Sequence, residues 1–232
     1  MTATQRISYR FDLPDGSRKL LDLEFDGADF RLSNQAAAQP PFWTELKFNQ
    51  CANCPLRHDQ HSHCPAAVQM APVVEALKAL VSFDSVCVTV EQSERTIYAQ
   101  TSAQQALSSV LGLIMATAGC PWTDRLRPMA RFHLPFATEA ETLYRSVCMF
   151  LLARELAGEG NSEGFAALES LYDNLHVVNR DMSRRLGAAT RSDPARNAMA
   201  LLDTYTSLLP MALESSLQEL APLFDAWRVA KT

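Results

Sequence analysis

The stretch Arg6-Ile7-Ser8-Tyr9-Arg10-Phe11-Asp12-Leu13-Pro14-Asp15-Gly16-Ser17-Arg18-Lys19-Leu20-Leu21-Asp22-Leu23-Glu24-Phe25 decides how this chain begins to fold. Ile7, Tyr9 and Phe11 alternate with polar residues, the period of a strand with one buried face. Pro14, Asp15 and Gly16 make a turn, in which glycine takes a positive φ without steric penalty. Leu20 to Phe25 follows as the partner strand of a hairpin.

Outward from the hairpin, Phe30 to Leu32 reads as a short third strand. Asn34 to Pro41 reads as a loop and Trp43 to Phe48 as an extended segment. Val73, Val74, Leu77, Leu80 and Val81 share one helical face, with Pro72 expected in the first turn. Ser85 to Val90 and Arg95 to Gln100 alternate on either side of Gln92-Ser93-Glu94, which predicts a second hairpin. An antiparallel sheet with one helix laid across it is the economical arrangement of these elements.

From Thr101 the period becomes helical. Ser102 with Gln105 and Thr138 with Glu141 have capping-box spacing. Leu107, Val110, Leu111, Ile114 and Met115 form an apolar stripe that Gly119 and Pro121 end, and Gly158 closes the next helix. A third helix is expected from Ser162 to Gly187. A fourth opens at Asp193-Pro194 and breaks at Pro210, and a fifth runs from Met211 through Trp227. The predicted class is therefore α+β. Residues 1–101 form an N-terminal antiparallel β-rich module with one helix and a zinc loop, and residues 102–232 an all-α helical bundle.

The chemistry concentrates at Cys51, Cys54, His58, His61, His63 and Cys64, half of the six Cys and three of the five His in 232 residues. Cys-x2-Cys is the spacing at which one turn aims two sulfurs at a single ion. Cys51, Cys54, His61 and Cys64 predict a closed structural zinc site; His61 repeats the two-residue gap of the first pair, His63 points elsewhere beside Cys64, and His58 is a further choice. Three other readings stay open. The thiols are free surface groups, or the zinc is catalytic, although only Asp59 lies nearby as a base. Alternatively Cys51, Cys54, Cys64 and Cys120 hold an iron–sulfur cluster, because Cys54, Cys64 and Cys120 each precede proline.

A second segment, Gly119 to Phe136, carries Arg125, Arg127 and Arg131 between Cys120 and His133. Trp122, Phe132 and Phe136 would tie it to the core. Guanidinium groups on an anchored loop recognise phosphate or carboxylate, so Arg127, Arg131 and His133 form a candidate pocket for a small anionic ligand. The competing reading is a linker whose arginines pair with carboxylates of the bundle. Elsewhere, the glycine-rich run Gly158 to Gly164 lacks the strand that a phosphate loop requires. His176 and Arg180 share a helix face, and Cys87 and Cys148 are expected to be buried.

The strings FNQCANCPL, HSHCPAA, SSVLGLIMATAGCP and RPMARFHLPFA resemble a family of uncharacterised bacterial proteins, over nearly the whole chain. The resemblance implies a bacterial, cytosolic source and transfers no catalytic residue.

A net charge of −5, spread over both halves, argues against nucleic acid and anionic membranes as partners. No apolar run is long enough to span a bilayer and the first residues lack a signal peptide, so a cytoplasmic location is expected. No nucleophile elbow, zinc-protease helix or dinucleotide fingerprint is present. The sequence alone therefore favours a non-enzymatic zinc-binding adaptor or regulatory protein, with a protein partner or a second copy of itself. An enzyme or sensor for a small anion and an iron–sulfur redox protein are the alternatives.

Overall fold

The computed structural model describes residues 4–33, 39–160, 164–189 and 193–227. The expected opening of the third helix at Ser162 lies outside them, as does most of the predicted loop from Asn34.

Strands β1 (Gln5–Asp12) and β2 (Arg18–Phe25) pair antiparallel, Tyr9 opposite Leu21 and Ile7 opposite Leu23. Gly16 turns between them at φ 79°. Strands β3 (Ser85–Glu91) and β4 (Thr96–Ser102) form the second hairpin, and β1 joins β3 antiparallel, giving the order β2-β1-β3-β4. One face is apolar: Tyr9, Phe11, Leu23, Phe25, Val88 and Val90 are fully buried. The expected third strand shrinks to a single bridge between Phe25 and Leu32. Phe30 takes φ 60° there and stacks on Phe25, at 4.4 Å between ring centres, so aromatic packing replaces a ladder.

Helix α1 spans Pro65–Ala76. Pro65, with its fixed φ, starts the helix earlier than the apolar spacing implied, so Pro72 sits inside it. Trp43 to Phe48 is not extended: Phe42–Thr44 is a 3₁₀ turn, followed by a lone bridge between Glu45 and His63.

Helix α2 (Ala103–Thr117) lies between the sheet and the later helices, with Ala106, Leu107, Val110, Leu111 and Ile114 buried. Ser102 caps it by accepting from the Gln105 amide. After the short helix α3 (Arg127–Arg131), α4 (Glu139–Ala157) opens with the full capping box of Thr138 and Glu141 and closes at Gly158, φ 71°.

Helix α5 (Ala166–Ala189) passes through Gly187, which the sequence suggested as its end. A Cβ at Gly187 would lie 3.2 Å from Arg196 of α6 (Asp193–Leu220), so this glycine marks a close helix–helix approach. Helix α6 likewise continues through Pro210. Leu209 and Leu213 are buried on either side of the proline, and this packing holds the two halves in line despite the lost amide. The expected fifth helix is thus the end of α6 and a 3₁₀ segment, Ala221–Trp227.

The main core is continuous from the sheet through α1 and α2 to Val178, Met182, Leu186, Ala198 and Met199. A second apolar cluster joins Leu143 and Val147 of α4 to Leu168, Leu175 and Leu209. Among the described residues no helix is long and apolar enough to cross a membrane.

Candidate functional site

Asn49, at φ 45°, leads the chain into the Cys51–Cys54 turn, which is closed by the Cys54 amide donating to Cys51 O at 3.1 Å. This turn is docked onto α5. Asp181, fully buried, accepts from the Ala52 amide at 2.8 Å, and Asn53 Nδ2 donates to Asn174 Oδ1 at 3.0 Å. Arg185, 1% exposed, donates to the carbonyls of Trp43 and Glu45 at 2.7 Å and of Leu46 at 3.2 Å. Buried charges are costly unless hydrogen-bonded, and here they hold the backbone of an irregular loop that has no ladder to satisfy it.

Cys64 follows, buried, at the N-cap of α1, with its amide donating to Thr44 O at 2.8 Å. Cys120 arrives from the far side: α2 ends, Gly119 turns at φ 84°, and the thiol packs partly buried against the same core as Cys51, Cys54 and Cys64. All four are free thiols. Burial, first of all, pushes the Cys51 thiol up to about 12; the nearby Cys64, Cys120, Asp181 and Cys54 add like-charge repulsion. Burial also raises Cys64, opposed by the Ala67 amide, the Arg185 guanidinium and the Ala66 amide. Four thiols thus share one neighbourhood, in which burial disfavours the bare thiolates of Cys51 and Cys64.

The histidines behave differently. His61 is exposed. His58 pairs with Gln50 Oε1 at 2.5 Å, and His63 Nδ1 with Ser62 Oγ at 2.8 Å. Among the described residues no three His, Cys, Asp or Glu side chains converge on a point that could hold a single ion. The turn bearing His61 faces solvent.

In the second segment the three anion-pocket residues separate. Arg127 is spent on Asp29 at 3.2 Å and Asp124 at 3.4 Å. The Arg131 guanidinium lies over the rings of Phe30 and Phe132, 5.6 and 5.4 Å from their centres. His133 alone is buried, its Nε2 2.5 Å from Tyr9 Oη, which is 2.9 Å from Ser109 Oγ. Burial, then the charge of Arg145, pulls His133 down to about 3, so it is neutral at pH 7.

His133 lines a cavity of about 210 Å³ between α2, the 123–137 segment, α4, α5 and α6. Arg145 of α4 also lines it, and Nη2 of this residue donates to the carbonyls of Met129 at 2.7 Å and Phe132 at 3.0 Å. Sequence reasoning missed Arg145 because nothing local separates it from a solvated helix residue. The other expected positions are accounted for structurally. His176 pairs with Asp203 at 2.6 Å across α5 and α6, and Arg180 with Asp181 at 3.1 Å. Cys87 is partly buried and accepts from Tyr98 Oη, whereas Cys148, expected to be buried, is exposed on α4.

A family model described as Domain of unknown function (DUF6901) matches residues 7–225. No curated protein and no solved structure matches the chain.

Proposed function

The chain belongs to the DUF6901 family, and we propose that it uses Cys51, Cys54, Cys64 and Cys120 to hold an iron–sulfur cluster, which makes this a redox or iron-sensing protein. One observation carries the reading: Cys120, distant in sequence, joins the neighbourhood of the three loop cysteines. Four thiolates are the usual ligand set of such clusters. Proline after Cys54, Cys64 and Cys120 removes the backbone N–H that would follow each of these cysteines.

Other groups support an anionic centre here. The amides of Ala67 and Ala66 and the guanidinium of Arg185 favour negative charge on Cys64 sulfur. Hydrogen bonds to the sulfurs and solvent exposure are what tune a cluster's potential. Cys51, Cys54 and Cys120 remain partly exposed, close enough to the surface for electron exchange with a partner or an oxidant.

Zinc bound to the same four thiolates, or to Cys51, Cys54, His61 and Cys64 in a non-enzymatic adaptor, is the rival proposal. Anaerobic purification decides between them. The expected product is brown, contains iron and acid-labile sulfide, and is bleached by dithionite. A colourless protein with one equivalent of zinc and no sulfide would refute the iron–sulfur reading.

A further inference from the structure

The cavity that His133 lines is separate from the thiols, and its charge balance is unusual. No Asp or Glu lines it, and Arg145 is its one side chain of fixed charge among the described residues. The walls are otherwise mostly apolar, including Leu113, Met115, Met129, Leu175 and Leu202. The polar groups that line it with Arg145 are uncharged and include Ser109, neutral His133, Tyr172 and Asn179.

Arg145 is half-buried, and no carboxylate lies within ion-pair distance of it among the described residues. Glu141, one turn earlier, favours its charge but spends its carboxylate on the Thr138 amide and hydroxyl, at 2.8 and 2.9 Å. Of the guanidinium donors only Nη2 is engaged, by two carbonyls that fix the plane of the group. Nη1 is left to donate one charge-assisted hydrogen bond to a carboxylate oxygen, whereas the two-point edges of the fork both need the engaged Nη2. A cation held on an apolar wall without an internal counter-ion gains most from an anion that brings its own apolar surface.

We propose that this cavity binds a small apolar carboxylic acid. The carboxylate accepts from Nη1 of Arg145, within reach of His133, and the hydrocarbon lies against α2 and α6. At about 210 Å³ the space falls below the ~300–1,000 Å³ of clefts for drug-sized ligands, which limits the occupant to a short acyl chain or a single ring. A phosphate ester is disfavoured, because one guanidinium leaves much of a dianion's charge uncompensated among apolar walls. The inference is independent of the metal centre and applies with or without iron.

The test is calorimetric titration of the full chain with octanoate and 3-phenylpropanoate, with octanol, octylamine and inorganic phosphate as comparators. Saturable one-to-one binding of at least one acid is expected, about tenfold or more tighter than octanol, with no binding of octylamine. Arg145→Gln should weaken the acid about tenfold or more, and Arg145→Lys less. Arg131→Gln, which lies outside the cavity, should leave affinity within about twofold. The proposal is overturned if neither acid saturates, if octanol binds as tightly as octanoate, if phosphate binds more tightly than both acids, or if Arg131→Gln weakens binding as much as Arg145→Gln. Should Arg145→Gln fail to fold, the ligand series on the unaltered chain decides by the same criteria.

Discussion

The indole Nε1 of Trp122 donates to the backbone carbonyl of Asn53 at 2.8 Å. The residue two places after Cys120 therefore grips the turn between Cys51 and Cys54. Trp122 also packs against both apolar clusters, so it ties the thiol loop, the 120–137 segment and the second cluster together. Trp122→Phe keeps most of the ring and removes the donor, leaving the Asn53 carbonyl without it. We expect a loss of about 1–2 kcal/mol in urea denaturation. If the proposed metal centre is present, a chelator should strip it several-fold faster. Unchanged rates and midpoints would show that the bond does not hold the turn.

The identity of the fourth ligand separates the two metal proposals. Cys120→Ser should abolish the visible absorbance and lower iron content, while His61→Ala should leave both unaltered. The reverse pattern, with zinc retained by Cys120→Ser and lost by His61→Ala, would establish the Cys51, Cys54, His61 and Cys64 site instead.

Arg185 offers a test of the loop's anchor. Its three carbonyl partners belong to residues 43–46, which have no sheet to pair with. Arg185→Leu leaves those carbonyls without their donor. A destabilisation of about 3–5 kcal/mol follows, large enough to unfold the loop in thermal melts. Arg185→Lys should recover little, since an ammonium cannot span three carbonyls as the planar fork does. A change below about 1 kcal/mol for Arg185→Leu would contradict this account.

His133 makes stability depend on pH in a defined direction. Its folded pKa of about 3 lies below the ~6.5 of an unfolded histidine. As pH falls below ~6.5 the unfolded chain takes up a proton that the folded chain refuses, so stability drops toward pH ~3, by at most ~1.4 kcal/mol per pH unit. Carboxylates held low by hydrogen bonds, such as Asp15 by Ser17 and Asp193 by Ser82, matter only below about pH 5. Urea midpoints at about pH 7.5 and pH 5.5 therefore isolate the histidine. The drop should vanish in His133→Gln; a drop of equal size in that variant would assign it to other groups.

Gly187 is the last test. A Cβ there meets only the flexible Cδ of Arg196 at 3.2 Å. Gly187→Ala should gain about 0.5–1 kcal/mol of helix propensity once Arg196 shifts, raising the melting temperature. A lowered melting temperature would mean that the α5–α6 contact cannot relax.

Elements with strong local periodicity or local caps were readable in the chain. The two hairpins, the α2 stripe, the Thr138–Glu141 box and the Gly158 stop all appear as expected. Two of the differences share one cause. Gly187 and Pro210 carry local stop signals, yet α5 and α6 continue because each is packed along its length, with buried Leu186, Leu209 and Leu213 beside the breakers. Cys148 looked buried from its apolar neighbours, but Leu151, Leu152 and Leu156 on the same helix are exposed as well.

By itself the sequence determined the order of strands and helices and the crowding of cysteine and histidine between Cys51 and Cys64, because side-chain period and residue chemistry act over a few residues. Only the tertiary structure decided which distant groups meet. Cys120 reaches the loop thiols because α2 spans the core and Gly119 turns the chain at its end. Arg145 reaches His133 because α4 packs against the 120–137 segment. Neither encounter is encoded in any local spacing; both follow from how buried apolar faces come together.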